Sequence, residues 1–349
     1  MAAAEGAVAF DSVSGSDIRR LLDAVEAVVS PAYLVGGSVR DLLMGRPCED
    51  FDFATPLHPD EVEARVRAAG RRPYLVGKRF GTVGFAVDGR KIEMTTFRAE
   101  TYAPCSRGPK VAYLRDLDED LARRDFTINA MAMHGEEIID PFDGAADIAA
   151  KVIRCVGDPS ARFAEDPLRM LRAARFASQL GFRVEDATRD AMGRLAPRIL
   201  NVARERWMLE LDRMLVGLDA PSGLRLLADT GLLRFVLPEI GLQVGYEQKS
   251  PWHSRSLFEH TLGVVGAVPP EPALRWAALL HDAGKPYARL DKPGRSTYVD
   301  HERISAEIAE RTALYLRWSV KRREEVRELV AHHMRPDSPL RVADDGAKQ

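Results

Sequence analysis

The chain has 349 residues, more than one ordinary core organises, so two or three domains are expected. Hydrophobic residues at 46% and charged residues at 29% are a globular composition, and a formal net charge of -2 excludes nucleic-acid binding through overall basicity; any such contact must be local. Three widely spaced cysteines, Cys48, Cys105 and Cys155, argue against a disulfide framework or zinc knuckle, while the opening MAAAEGAVAF and the lack of a ~20-residue apolar run predict a cytoplasmic, soluble protein with no leader and no membrane span.

In chain order, SGSDIRRLLDAVEAVV (14–29) has helical apolar spacing and stops at Ser30-Pro31. AYLVGG reads as a short buried strand turning on glycine, and SVRDLLMGR as a short helix closed by Gly45. EDFDFAT alternates like a strand, and HPDEVEARVRAAG is an amphipathic helix ending at Gly70. RRPYLV, TVGFAVDG and RKIEMTTF read as strands, the last two joined at Asp88-Gly89. From about residue 156 every segment has a helical period, up to a polar tail, PDSPLRVADDGAKQ. The expected architecture is an α+β head with a mixed sheet followed by an all-helical body.

Residues two apart on a strand share a face, so Asp50 and Asp52 present two carboxylates on one side while Phe51 and Phe53 pack on the other. Two close carboxylates repel unless a cation lies between them, and Mg2+ suits a site with few protein carboxylates and phosphate oxygens completing the shell. RKIEMTTF adds a third carboxylate, Glu93. Alone, a DxD is more often an acidic edge strand facing water. Gly36-Gly37, between a strand and a helix, lets backbone approach a ligand and aims helix N–H groups at it; Arg40 suits a phosphate. A phosphate cradle ahead of a metal-binding pair describes a nucleoside triphosphate site.

GGSVRDLLMGRPCEDFDFAT resembles the signature of the class II tRNA nucleotidyltransferases (CCA-adding enzymes) and bacterial poly(A) polymerases, both of the DNA polymerase beta superfamily. The resemblance extends in ordered blocks over roughly residues 30–220. It implies a polymerase-beta-like nucleotidyltransferase head in which Asp50 and Asp52 bind two Mg2+ ions, with Glu93 as a further ligand. One ion activates the tRNA 3'-hydroxyl and the other steadies the triphosphate.

In LARRDFTINAMA (121–132), Arg123-Arg124-Asp125 offers cations for phosphate and an acceptor for a hydroxyl, with Asn129 on the same side if a helix begins here. The resemblance assigns triphosphate contacts to Arg124 and ribose 2'-OH recognition to Asp125; the plain alternative is that Asp125 caps a helix FTINAMAMH. DPFDGAADIAAKVIR (140–154) resembles a hinge block through Asp140, Gly144 and Asp147. AEDPLRMLRAARF (164–176) reads as a helix with Asp166 as N-cap, Pro167 at its first position and an Asp166–Arg169 pair. By resemblance, Glu165, Asp166 and Arg169 match the EDxxR block that selects the base, with Arg172 and Arg175 among the nucleotide-binding residues. A carboxylate beside a guanidinium complements the amino donor and ring-nitrogen acceptor of cytosine and adenine, and is mismatched to guanine and uracil. In RERWMLELDRML (204–215), Arg204, Arg206 and Arg213 either track an RNA backbone or solvate a helix face.

Six of the eight histidines follow residue 250. His260, His281-Asp282, His301 and His332-His333 form an ordered series, and LRWAALLHDAGKP ends an apolar helix on His-Asp. His260, His281 and Asp282 are expected to hold a second divalent metal. The series resembles the HD phosphohydrolases, whose final ligand Asp has only Asp337 as a candidate here.

The expected segments are a helical lead (1–30), the nucleotidyltransferase head (31–155), a helical neck and RNA-binding region (156–240) and an HD-type helical domain (241–349). The implied function is template-independent addition of CMP and AMP to the tRNA 3' end, from CTP and ATP, with release of pyrophosphate. Partial CC- or A-adding activity is the first alternative. It bears on AETYAPCSRGPKVAY, where CC-only relatives shorten a loop; this segment is near full length but of unusual composition. Poly(A) polymerase and an HD phosphohydrolase with a nucleotide-binding head follow.

Overall fold

The computed structural model describes residues 15–48, 51–101, 110–249 and 255–340. It divides into two compact units, residues 1–165 and 166–349.

The first unit is built on a six-stranded mixed sheet in the order β3-β4-β2-β1-β7-β8. Its strands are β1 (Tyr33–Val35), β2 (Phe51–Thr55), β3 (Thr82–Val87), β4 (Arg90–Thr96), β7 (Ala132–His134) and β8 (Glu137–Ile139). A separate antiparallel pair is formed by β5 (Arg98–Thr101) and β6 (Lys110–Tyr113). Only β2 and β4 run parallel; the other neighbours are antiparallel. Helix α1 (Gly15–Glu26) puts Ile18, Leu21, Leu22 and Val25 into the core that holds Phe51, Phe53, Phe85, Ile92 and Met94. The N-terminal helix is thus a layer of the head. Phe51 and Phe53 are 3% and 1% exposed, and truncating either is expected to cost roughly 3–5 kcal/mol.

Helices α2 (Gly37–Leu43) and α3 (Pro59–Ala68) begin and end where capping residues and glycines put them. His58 and Glu61 form a capping box on α3, and Gly70 ends it at φ +70. Asp88 and Gly89 both take positive φ at the β3–β4 turn, as a tight hairpin requires.

Three local expectations differ. RRPYLV is not a strand: Tyr74 alone bridges Gly84. FTINAMAMH is not a helix: a single 3-10 turn, Thr127–Asn129, leads directly into β7. The buried run Ile128, Ala130, Met131 and Ala132 fits a central strand, so pairing with β1 overrides helical spacing. Finally, the second unit is not all helix, since Arg289–Lys292 and Arg295–Tyr298 form a β-hairpin around Gly294, and Arg183–Val184 is also extended. Helix α4 (Leu117–Ala122), α5 (Gly144–Ala150) and α6 (Pro159–Glu165) complete the first unit, and α7 (Leu168–Leu180) opens the second. Among the described residues no helix is long and apolar enough to cross a membrane.

Candidate active site and metal centre

Asp52 is exposed on β2 between its two buried phenylalanines, so the alternation has the geometry its sequence predicts. Parallel pairing sets Asp52 beside Glu93 on β4, and both stand on the face opposite the core. Glu93 is half exposed and accepts Lys91 Nζ at 2.6 Å. Ser38 Oγ accepts the Asp52 backbone N–H at 3.2 Å, tying α2 to the strand. Asp50 lies outside the described residues.

Gly36 sits at φ +72, and a Cβ there would lie 2.7 Å from Arg124 Nη1, so only glycine lets that guanidinium rest against the turn. Arg40 donates to Asn129 Oδ1 at 2.7 Å and to Asp41 at 2.9 Å. Asn129 in turn donates to Asp125 Oδ1 at 3.3 Å, and Asp125 accepts the Phe126 N–H at 2.9 Å. The structure therefore brings Gly36, Gly37, Arg40, Arg124, Asp125 and Asn129 together, through a 3-10 turn rather than a helix. With only seven residues, α2 adds little dipole, and the arginines carry the positive charge of this cradle.

Sequence reasoning missed the residue that organises it. Asp120, 2% exposed, accepts Arg123 at 2.7 Å, Arg124 at 3.3 Å and the Arg98 backbone N–H at 3.1 Å. Burial opposes its ionisation, but the charges of Arg123 and Arg124 outweigh burial and hold the carboxyl below its ordinary value. Burial also draws the Arg124 guanidinium below its usual value, against the pull of Asp120. Asp120 is legible only as a member of the acidic run DLDED, where nothing marks it as the inward one.

In the EDxxR block, Glu165 is exposed and pairs with Arg162 at 2.8 Å in the first unit. Asp166 accepts the Leu168 N–H at 3.1 Å, as an N-cap would, although the helix proper starts at Leu168. Its ion-pair partner is Arg206 at 2.7 Å, from helix Arg204–Leu215, and not the expected Arg169. Arg169 is half-buried on the first turn of α7. Arg175 is buried against Glu210 at 3.0 Å and over the Phe176 ring, and Arg172 lies 3.9 Å from the same carboxylate. Arg204 lies over the Trp207 ring at 3.6 Å, while Arg213 is exposed.

The second unit also gathers its histidines. His260, His281, Asp282, His301 and His333 are all buried, between 1% and 7% exposed. Asp282 Oδ2 lies 3.5 Å from His260 Nε2 and 3.2 Å from His281 Nε2; its Oδ1 lies 3.2 Å from His301 Nε2 and 3.8 Å from His333 Nε2. His281, His301 and His333 each have Nδ1 within 2.8 Å of a backbone carbonyl three residues earlier. Those carbonyls accept Nδ1–H, so the Nε2 lone pairs face one another, His281 to His260 at 3.4 Å and His301 to His333 at 3.2 Å. Acceptors so aimed need a cation or a proton between them, and the donor set fits a divalent metal of imidazole preference.

Burial would raise the Asp282 carboxyl, but His281, Lys285 at 2.6 Å and the imidazole hydrogen bonds hold it well below its usual value. Burial pushes His333 down to about 4. For His301 burial is outweighed by Asp282, and its value is raised. Gly284 lets the HD turn touch the His301 helix, since a Cβ there would meet the His301 carbonyl at 2.4 Å. His301 and His333 were in the ordered series but not among the expected ligands. Asp337 is exposed and outside the cluster, and His332 faces Glu328 instead.

An exposed carboxylate row on a mixed sheet beside an arginine cradle defines a nucleotidyltransferase head. The family described as "Poly A polymerase head domain" matches residues 32–154, "Probable RNA and SrmB- binding site of polymerase A" residues 181–242, and "HD domain" residues 257–346. The chain is 46% identical over 217 residues to the CCA-adding enzyme of Latilactobacillus sakei, covering 62% of this chain and 54% of that protein. It is 42% identical over 268 residues to the CCA-adding enzyme of Geobacillus thermodenitrificans, covering 75% and 62%. The matched stretches thus span less than two thirds of those relatives' length. The Bacillus stearothermophilus CCA-adding enzyme solved in complex with CTP superposes with a TM-score of 0.62 at 29% identity, over 95% of this chain and 81% of that one. The chain belongs to the tRNA nucleotidyltransferase and bacterial poly(A) polymerase family, with a C-terminal HD domain. Membership implies use of a divalent metal.

Proposed function

We propose that this protein is a cytoplasmic CCA-adding enzyme, transferring CMP and AMP from CTP and ATP to the 3' end of tRNA without a template and releasing pyrophosphate. The observation that carries the reading is the Asp52–Glu93 pair, set in register on the open face of the sheet while Phe51 and Phe53 lock the strand from below. Asp52 and Glu93, together with Asp50, would hold Mg2+, a hard ion suited to carboxylate donors. When bound, the metal supplies Lewis-acid stabilisation of phosphoryl oxygens and lowers the pKa of the attacking hydroxyl.

The chain's own residues do the rest. Arg40 and Arg124 neutralise triphosphate oxygens, and Asp120 and Asn129 orient those guanidinium groups. Asp125 accepts from the ribose hydroxyl. Asp166 and Arg169 choose the base: an ionised carboxylate has about four lone-pair sites, so Asp166 retains acceptor capacity beyond its contacts with Leu168 and Arg206. By resemblance, Glu165, Arg172 and Arg175 also serve nucleotide binding. Support comes also from relatives named as CCA-adding enzymes, and from a neighbour solved as a tRNA nucleotidyltransferase with a primer tRNA and an incoming ATP analog.

Sequencing the products made from tRNAs ending before CCA, at C and at CC tests the reading. CTP and ATP together should restore CCA, and Asp166→Ala should reduce the preference for CTP over UTP by about 100-fold or more. Use of UTP and GTP as readily as CTP and ATP by the wild-type protein would refute base selection. Addition that stops at CC, or starts only from CC, would assign a partial activity.

A second reading concerns the buried histidine cluster, whose convergent Nε2 atoms and adjacent Lys285 favour phosphoester hydrolysis at a second metal. Opening of a 2',3'-cyclic phosphate to the phosphomonoester that persists in Asp282→Ala would reject it.

A further inference from the structure

Backbone pairing draws a straight row across the open face of the head sheet. Asp52 pairs in register with Glu93, Glu93 with Gly84, and Gly84 with Tyr74. Tyr74 and Gly84 exchange both backbone hydrogen bonds, at 2.6 and 2.9 Å. Val83, Phe85 and Val87 of β3 enter the core, so Gly84 belongs to the opposite face, with Asp52 and Glu93. A Cβ on Gly84 would meet Tyr74 Cβ at 3.3 Å and Cδ2 at 3.5 Å, so the Tyr74 side chain stands on that face too. Three strand spacings put Tyr74 about 14 Å from Asp52 along the row.

Tyr74 is 50% exposed. It opens a segment in which Leu75, Val76 and Phe80 are also exposed, the last at 37%. Arg72 and Arg79 are exposed on the same segment, and Arg79 lies over the Phe80 ring at 4.5 Å. Lys78 is engaged by Asp60 at 2.6 Å and Glu63 at 2.5 Å, and Arg71 by the Ala86 carbonyl at 2.8 Å, so Arg72 and Arg79 carry the outward charge. An exposed ring flanked by guanidinium groups is the chemistry of single-strand binding, where bases stack and phosphates follow cations.

We propose that Tyr74 is a stacking platform for a base of the primer's single-stranded 3' end, upstream of the terminal nucleotide whose hydroxyl reacts at Asp52 and Glu93. The inference rests on the nucleotidyl-transfer reading. It adds a primer contact from the head itself, two strand spacings beyond Glu93. Because Gly84 has no side chain, Tyr74 packs closely over the strand next to Glu93. Stacking reads no hydrogen-bonding edge, so it serves a primer whose last bases change with each addition.

The test uses RNA primers ending in C or CC with 2-aminopurine at the last, second or third nucleotide, and full-length wild-type, Tyr74→Phe, Tyr74→Leu and Tyr74→Ala proteins. Wild type and Tyr74→Phe should quench the probe at one upstream position, whereas Tyr74→Leu and Tyr74→Ala should not. The KM for primer should rise about tenfold in Tyr74→Ala, with the KM for CTP unchanged. Equal quenching by all four proteins, or an unchanged primer KM in Tyr74→Ala and Tyr74→Leu, overturns the proposal. A wild-type protein that transfers no nucleotide refutes the functional reading instead, and the quenching comparison still decides whether Tyr74 stacks on RNA.

Discussion

The carboxylate face of the head and the histidine cluster of the second unit are opposite solutions to holding a cation. The first is open, borne on adjacent strands and made of oxygen donors, with Asp52 exposed and Glu93 half exposed. The second is closed, contributed by helices and turns far apart in the chain, and lined by imidazole nitrogens at 1–7% exposure. An open oxygen site suits a hard ion that shares its shell with a large substrate. A dry nitrogen-rich site suits a more tightly held transition metal. The difference teaches that sheet register suffices where a substrate completes the shell, while a buried centre needs each ligand oriented by a further hydrogen bond.

Four experiments press on that contrast. Asp52→Ala should reduce nucleotide transfer by more than ~100-fold, because loss of a direct ligand exceeds the effect of changing groups behind one. Metal retained in the histidine cluster of that variant, measured by elemental analysis, would establish the two sites as independent. Conversely, Asp282→Asn should weaken metal binding at the cluster by roughly 100-fold while transfer stays within about twofold; a matching loss of transfer would break the comparison.

Asp120→Asn should destabilise the head by about 3 kcal/mol in urea melts, since it strands Arg123 and Arg124. Its carboxyl is depressed in the folded state, so its contribution is fully present above the unfolded value near 3.8 and is lost as pH falls through the folded value. The gap between wild type and variant should therefore be constant from pH 5 to 8 and shrink only below about pH 4. A gap that closes between pH 6 and 7 would point to another group. The smallest effect is expected from Lys91→Ala, whose pair with Glu93 is exposed: stability should change by less than ~1 kcal/mol, with transfer retained.

Much of this was legible in the residues themselves. The alternation FDFAT specified which side of β2 faces the core, because a period of two leaves no other arrangement once Phe51 and Phe53 are buried. The glycine turn before α2 and the capping box on α3 follow equally from local chemistry. The site was less legible wherever a partner lay far along the chain. Asp166 pairs with Arg206, 40 residues away, and not with Arg169 one turn on. Asp120 looked like one acid among several until Arg98, Arg123 and Arg124 converged on it.

The sequence by itself therefore determined most of the elements, the faces they bury and the residue types able to bind metal and phosphate, since these depend on spacing within a few residues. Only the tertiary structure decided which acid faces inward, that FTINAMAMH joins the sheet instead of coiling, and that Asp52, Glu93, Gly84 and Tyr74 share one row. Such choices rest on hydrogen-bond register and burial between distant segments, which local periodicity does not encode.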